Sequence, residues 1–222
     1  MINKILIIEE IDSISLGIST LLNEHFTVDV RCTKYCDEAL LKVKKAIFEN
    51  APFDLIITDL SFKTDHREAK LLNGTELIAA IRQEQPDVRI IVYSVEERIY
   101  KIRNLFEEYG INGFVAKGRE SSQELLEAIT TVNKCGSIYI SPQFQNRLRD
   151  TTPFEIDEFD EELILYLSRG LTQEEISMQF RKEGKTSSST SSIEKKINKL
   201  KIVFKAKNTI HLVAIAKDIG II

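Results

Sequence analysis

The first 135 residues alternate between short apolar runs typical of strands and longer stretches with the apolar spacing of a helix. Ile5–Ile8 is an uninterrupted apolar run closed by two acids, which predicts a strand buried on both faces. Between residues 37 and 48 apolar side chains recur on one stripe, which predicts a helix. Strands and helices that alternate in this way predict an α/β fold, a doubly wound, five-stranded parallel sheet with helices on both faces. The predicted strands are 5–8, 27–32, 55–59, 88–93 and 113–116.

Polar side chains stand at the ends of four predicted strands. Glu9 and Glu10 follow the first strand, Asp59 ends the third, Ser94 follows the fourth and Lys117 follows the fifth. In open parallel sheets, ligands bind outside the carboxyl ends of the strands. A single acid at a strand end is commonly a cap or a solvated residue, but agreement among four strand ends favours one shared site.

The second part of the chain differs in periodicity and in charge. Helical periodicity fades over 136–157, which predicts a linker, and then continues to the end, which predicts an all-α domain over 158–222 after a first domain over 1–135. Residues 1–157 carry 19 Lys/Arg and 25 Asp/Glu, whereas 181–217 carry 10 Lys/Arg and two acids. An acidic first part and a basic tail suggest two partners of different kinds, although charge alone favours a solvated charged face.

Composition predicts a cytoplasmic protein that does not enter a membrane. No apolar run approaches the ~20 residues that span a bilayer, and the first ten residues lack the features of a signal peptide. The three cysteines, Cys32, Cys36 and Cys135, favour reduced thiols over a disulfide framework. Cys32 and Cys36 could share a metal ion, but no further Cys or His follows at ligand spacing.

The first 135 residues resemble the receiver domain of bacterial two-component response regulators. The resemblance rests on Ile5–Glu10, Leu55–Leu60, Ile91–Ser94 and Gly113–Gly118. It implies a flavodoxin-like fold in which Asp59 accepts a phosphoryl group from a sensor histidine kinase, since a carboxylate can attack phosphorus. The protein would then be a regulator and not an enzyme.

The resemblance also assigns roles to the other residues at the strand ends. Mg²⁺ would be bound by Glu9, Glu10 and Asp59, with the carbonyl of Ser61 as a further ligand. Lys117 would contact the phosphoryl group, and the hydroxyl of Ser94 would shift towards it. Phe114 stands where receivers carry a switch aromatic, although an ordinary core Phe is an equally good interpretation.

Two features depart from the receiver pattern. Glu10 stands where the family usually has Asp, and the segment from Ser61 to Asn73 is a long polar loop without the usual Pro. A similar lengthening occurs in a subgroup of regulators that control capsule synthesis. An atypical receiver that acts without phosphorylation, as a constitutive DNA-binding or protein-interaction module, is therefore the alternative.

The tail resembles the DNA-binding domain of NarL/FixJ/LuxR-class regulators, on Glu161–Gly170, Leu171–Ser177, Ser192–Leu200 and His211–Ala216. The third stretch would be the recognition helix of a helix-turn-helix, which enters the major groove. Periodicity supports this independently, because its apolar residues share one face and its basic residues the other. The turn over 181–191 is longer than the family norm.

The resemblance implies two sets of DNA contacts. The candidate base contacts are Glu194, Lys195 and Asn198. The candidate phosphate contacts are Lys196, Lys199, Lys201, Ser191 and Ser192.

The predicted mechanism is phosphorylation of Asp59, followed by homodimerisation and binding of paired DNA half-sites. The predicted dimer surface includes Tyr100, Arg103, Phe106 and Glu107. One rival is a phosphatase with an aspartate nucleophile, but such enzymes usually carry a second Asp where this chain has Ser61.

Overall fold

A computed structural model describes residues 2–63, 69–134, 137–149, 156–186, 188–218 and 221–222. The chain forms two compact units, one of Met1–Glu97 with Lys101–Asn146 and one of Arg98–Tyr100 with Arg147–Ile222. Cys135, part of the predicted linker and part of the lengthened turn lie outside the described residues. Within the described ranges, no helix has both the length and the apolar character that crossing a bilayer requires.

The first unit is a parallel α/β sheet, as its alternating pattern predicts. The elements up to α6, in chain order, are β1 (Lys4–Ile8), α1 (Asp12–His25), β2 (Asp29–Thr33), α2 (Cys36–Phe48), β3 (Leu55–Thr58), α3 (Gly74–Glu84), β4 (Arg89–Ser94), α4 (Ile99–Glu107), β5 (Gly113–Ala116), α5 (Ser121–Val132), β6 (Tyr139–Ile140) and α6 (Pro142–Arg149). The first two residues of α4 and the last three of α6 are assigned to the second unit. The strand order is β2-β1-β3-β4-β5-β6, and every neighbouring pair is parallel.

The sheet is built on the apolar runs of β1 and β3, whose side chains are almost fully buried. Helices α1 and α5 contribute Leu22, Leu125 and Ile129 to the core on one face. Because β1, β3, β4 and β5 end at the same edge, the residues that follow them are brought together there.

The prediction of five strands is corrected to six. The sixth strand pairs with Gly113 and Phe114 of β5 and lies in the range predicted as linker. Two residues are too few for a periodic signal, and what stabilises them is pairing with a strand distant in sequence. Pro142, which the sequence analysis took as part of the linker, is the first residue of α6, where proline is tolerated because that N–H needs no helical partner.

The second unit is helical over its described residues. Its elements after α6 are α7 (Glu158–Ser168), α8 (Gln173–Lys182), α9 (Thr190–Val203) and α10 (Thr209–Asp218). The core contains Leu163, Ile176, Phe180, Ile193 and Ile197, all at most 2% exposed. Capping boxes begin α7 at Asp157 and α8 at Thr172, and each satisfies helix N–H groups that lack a partner within the helix.

Candidate functional site

Three of the predicted site residues meet at the carboxyl edge of the sheet. The Nζ of Lys117 lies 2.6 Å from Glu9 Oε2 and 2.6 Å from Asp59 Oδ2. The side chains of Glu9, Asp59 and Lys117 are only 2%, 7% and 12% exposed, so solvent screens their charges weakly. Burial lowers the pKa of Lys117, but its bonds to Asp59 and Glu9 outweigh that effect and raise the pKa above its ordinary value. The ammonium therefore stays charged between two carboxylates.

The carboxylate of Asp59 is held in one orientation. Its Oδ1 accepts hydrogen bonds from the backbone N–H of Leu60 at 2.6 Å and of Ser61 at 3.4 Å, while Oδ2 receives Lys117. A carboxylate fixed at both oxygens does not have to be ordered before it reacts. Exposed Ser61 contributes to this geometry through its N–H.

Gly74 contributes to the same pocket by its lack of a side chain. A Cβ at this position would lie 2.1 Å from the carbonyl oxygen of Asp59 and 2.7 Å from the Cα of Leu60. The N–H of Gly74 donates to the carbonyl of Leu60 at 2.9 Å, which joins the start of α3 to the end of β3. Gly74 was not among the predicted site residues, although a glycine at the end of the long polar loop is a signal for such a role.

Glu10, which was predicted to bind a metal ion with Glu9 and Asp59, is bonded in the structure to the loop that follows β3. Its Oε2 accepts a hydrogen bond from the N–H of Lys63 at 2.7 Å, so it anchors the loop that follows β3. Asp37 Oδ2 similarly accepts from the N–H of Lys70 at 2.9 Å. The two acids therefore bind both ends of the described parts of this loop.

The four predicted magnesium ligands remain a prediction, and the structure brings two of them, Glu9 and Asp59, to the same ammonium group. Glu9 and Asp59 present two adjacent carboxylate oxygens of the kind that Mg²⁺ prefers. No group of three or more His, Cys, Asp or Glu in the described parts of the chain is arranged around a metal position. The donors therefore fit a divalent cation held by two carboxylates, and Glu10 would have to leave Lys63 to become a third.

Ser94 ends β4 beside the pocket with an unused hydroxyl. The residue is fully buried, and its Oγ has no hydrogen-bond partner among the described residues. Its carbonyl accepts from the N–H of Lys117 at 2.8 Å, so the two residues are fixed next to each other. A buried polar group without a partner is costly, and a ligand oxygen in the pocket would remove that cost.

Phe114 is fully enclosed. Its ring packs edge-to-face against Phe144 of α6, with centroids 5.7 Å apart and planes at 77°. Sequence analysis assigned position 144 to a linker and could not anticipate this contact.

The polar face of α9 contains most of the predicted DNA contacts. Glu194, Lys195, Asn198 and Lys199 are exposed, whereas Lys201 is half-buried. The opposite face is buried through Ile193, Ile197 and Leu200, as the apolar spacing predicts. The basic side chains therefore face outward, on a helix whose opposite face is packed into the core of the unit.

The N-terminus of α9 is built from hydroxyl groups. Ser189 is the N-cap and its Oγ accepts from the N–H of Ser192 at 3.2 Å, so Ser191 and Ser192 lie in the first helical turn. Before it, the lengthened turn is attached to the unit, because Ser177 Oγ donates to the carbonyl of Ser188 at 2.6 Å and Lys185 pairs with Glu162.

Lys196 differs from the other predicted DNA contacts. Its Nζ lies 2.9 Å from Asp157 Oδ2 and 3.2 Å from Asp160 Oδ2, and its side chain is 26% exposed. The structure thus places Lys196 in an ion-pair cluster at the start of α7, and not on the open basic face.

The sequence matches the family model of the response regulator receiver domain over residues 5–130, more than half of the chain. The chain belongs to the response regulator receiver family. The chain is similar to the transcriptional regulatory protein ComA of Bacillus subtilis (strain 168), with 30% identity over 129 residues. That match covers 57% of this chain and 54% of ComA, so it spans about half the length of that relative.

Solved structures of RcsB resemble this response regulator over both units. The structure of two RcsB dimers bound to two parallel DNAs has a TM-score of 0.62 and 19% identity, covering 99% of this chain and 100% of that chain. RcsB from Salmonella enterica serovar Typhimurium, bound to a promoter with the phosphomimetic BeF3⁻, has a TM-score of 0.60 and 20% identity, covering 98% and 100%. This likeness confirms the predicted fold, a parallel-sheet receiver followed by a helical domain.

Proposed function

We propose that this response regulator controls transcription by binding DNA when Asp59 is phosphorylated. The observation that carries the proposal is the position of Lys117 Nζ, 2.6 Å from both Glu9 and Asp59, beside the unpartnered hydroxyl of Ser94. A nucleophilic carboxylate, a cation and a free donor are the groups that phosphoryl transfer needs, because the reaction depends mainly on alignment and charge neutralisation.

In the proposed step, Asp59 Oδ2 forms a bond to phosphorus as the bond from phosphorus to the donor breaks. The donor is a phosphohistidine of a sensor kinase or a small acyl phosphate, and its leaving atom retains the bonding electrons. Lys117 moves from Oδ2 to a phosphoryl oxygen, and Ser94 Oγ–H donates to another. Glu9 and Asp59 would hold Mg²⁺, with Glu10 and the Ser61 carbonyl as further ligands, and the ion would neutralise charge on the phosphoryl group.

The expected readout passes from Ser94 to Phe114. Because the Phe114 ring packs against Phe144 of α6, a change in its position would disturb this contact, and we include α6 in the proposed switch. The surface of α4 would then form the homodimer, with half-buried Arg103 and Phe106 and exposed Glu107 as its candidates together with Tyr100.

Base contacts in the proposed complex come from Glu194, Lys195 and Asn198, which are exposed on α9. Lys199, Lys201, Ser191 and Ser192 would bind the phosphate backbone. The RcsB structures, which are complexes with DNA, support this arrangement by their fold. The predicted receiver over 1–135 is extended in our proposal to include β6 and the start of α6, which belong to the first unit. We keep 158–222 as the proposed DNA-binding domain and propose that the protein acts in the cytoplasm.

The test measures phosphorylation and DNA binding in the same samples of the whole chain. After incubation with acetyl phosphate and Mg²⁺, intact mass should show one added phosphoryl group, and fluorescence anisotropy should show tighter binding to genomic fragments selected for affinity. Asp59→Asn should lose both effects. Asp87→Asn, a change of an exposed aspartate, should keep both.

Two results would contradict the proposal. Wild-type protein that gains no mass, or gains it equally in Asp59→Asn, would remove Asp59 as the phosphoacceptor. Equal DNA affinity before and after a confirmed phosphorylation would instead support the constitutive DNA-binding alternative.

A further inference from the structure

We infer that Lys196 is a positioning residue, which fixes the recognition helix α9 to the start of α7, and not a contact to DNA phosphate. The inference rests on the proposed function, because it concerns how the DNA-binding surface is held.

The first support is the geometry around the Lys196 ammonium. Asp157 is the N-cap of α7, and its Oδ1 accepts from the N–H of Asp160 at 2.8 Å. In return Asp160 Oδ2 accepts from the N–H of Asp157 at 3.4 Å, which completes a capping box made from two carboxylates. Lys196 reaches the Oδ2 of both, 39 residues along the chain from Asp157.

The second support is the charge that Lys196 balances. Asp160 is 3% exposed, and its Oδ1 has no hydrogen-bond partner among the described residues. Burial and the neighbouring Asp157 raise the pKa of Asp160. The same cluster raises the pKa of Lys196, because its bonds to the two aspartates outweigh the effect of burial. Without Lys196, two adjacent carboxylates would face each other at the start of a helix with no cation between them.

The third support is the direction of the side chain relative to its neighbours on α9. Lys195 and Lys199 are exposed, whereas the Lys196 side chain is directed to α7, and its ammonium lies 5.8 Å from the centroid of the Phe159 ring. To bind a DNA phosphate, Lys196 would have to abandon both aspartates and this ring. Its ion pairs therefore fix the rotation of α9 about its axis, which determines where Lys195 and Asn198 point.

Salt dependence separates a positioning residue from a phosphate contact. The logarithm of DNA affinity falls linearly with the logarithm of the salt concentration. Removing a side chain that neutralises one DNA phosphate makes this negative slope shallower by about 0.9. We would compare whole-chain Lys196→Met with Lys199→Met, after acetyl phosphate treatment, on a mixed-sequence DNA duplex. Thermal unfolding of the same proteins, followed by circular dichroism, provides a readout that does not depend on DNA.

We expect Lys199→Met to make the salt slope shallower and to leave the thermal midpoint unchanged. Lys196→Met should lower the midpoint by several degrees and weaken binding about tenfold at every salt concentration, with the slope unchanged. Lys196→Arg should behave as wild type, since guanidinium can also bridge two carboxylates. Asp160→Asn should partly restore the midpoint of Lys196→Met, because it removes the buried charge that Lys196 balances.

A salt slope that is shallower by about 0.9 in Lys196→Met, or a wild-type thermal midpoint in that variant, would overturn the inference. So would a double variant with Asp160→Asn that is no more stable than Lys196→Met alone. If wild-type protein binds no duplex at any salt concentration, the proposed function fails. The thermal comparison of the single and double variants then still decides the role of Lys196.

Discussion

Replacing Lys117 by Met should destabilise the receiver, and the loss should depend on pH. The substitution keeps most of the apolar stem and removes the charge 2.6 Å from both Glu9 and Asp59. Those two carboxylates are at most 7% exposed, so water cannot replace the missing ammonium effectively. The variant therefore contains two facing, uncompensated negative charges.

Removing one partner of a buried ion pair typically costs 3–5 kcal/mol, and we take about 3 kcal/mol because the pocket lies at the edge of the sheet. The pKa of Lys117 is raised, so in wild type its contribution is fully present at pH 7 and is lost only at alkaline pH, above that pKa. Because wild type loses this contribution as the pH rises through the pKa of Lys117, the deficit of the variant should shrink at alkaline pH.

Native-state hydrogen exchange of the whole chain measures this deficit without requiring a two-state transition. Amides of Ile7 and Ile57 in the central strands should exchange about 100-fold faster in Lys117→Met at pH 7, which corresponds to about 3 kcal/mol. Lys45→Met is the matched control, because its pair with Glu49 is 3.7 Å long and both side chains are more than half exposed. It should change exchange by less than about fivefold. Equal exchange in Lys117→Met and wild type, at all pH values, would refute the stabilising role of the bridge.

Three further predictions concern other parts of the receiver. Gly74→Ala should slow phosphorylation and lower the thermal midpoint, because its Cβ would collide with the backbone of Asp59 and Leu60. Gly17→Ala, where a Cβ meets no described atom within 4 Å, should raise the midpoint slightly. Equal midpoints in the two variants would contradict the steric role of Gly74. Ser94→Ala should not destabilise the receiver, because the buried hydroxyl that it removes has no partner among the described residues, yet it should slow phosphorylation in an acetyl phosphate time course. An unchanged rate would contradict its proposed role. Burial and Asp37 raise the pKa of Cys36 to about 12, so its alkylation at pH 8 should be about 100-fold slower than that of exposed Cys32. Peptide mapping measures both rates, and similar rates would show that the Cys36 thiol is accessible and ionised.

The sequence was informative where local pattern and burial agree. The apolar runs of β1 and β3 are buried on both faces, so composition alone indicates a central strand, and the residues that follow such strands are then placed by topology. The face of α9 that packs inward was predictable for the same reason, since helical spacing determines which residues lie together.

The features that sequence reasoning missed depend on contacts between distant residues. Strand β6 exists because two residues pair with β5, which leaves no periodic signal. The hydrogen bond that Glu10 accepts from the N–H of Lys63 joins it to a loop whose path the sequence does not specify. A helical wheel places Lys196 beside the basic face, but it contains no information about the aspartates on α7.

Fluorine NMR of beryllofluoride binding tests the central claim most directly, because BeF3⁻ mimics a phosphoryl group on the acceptor carboxylate. With Mg²⁺ present, wild-type protein should show bound fluorine resonances at one equivalent, and Asp59→Asn should show none. The absence of bound resonances in wild type, or identical resonances in Asp59→Asn, would contradict the assignment of the pocket formed by Glu9, Asp59 and Lys117 as the phosphoacceptor site.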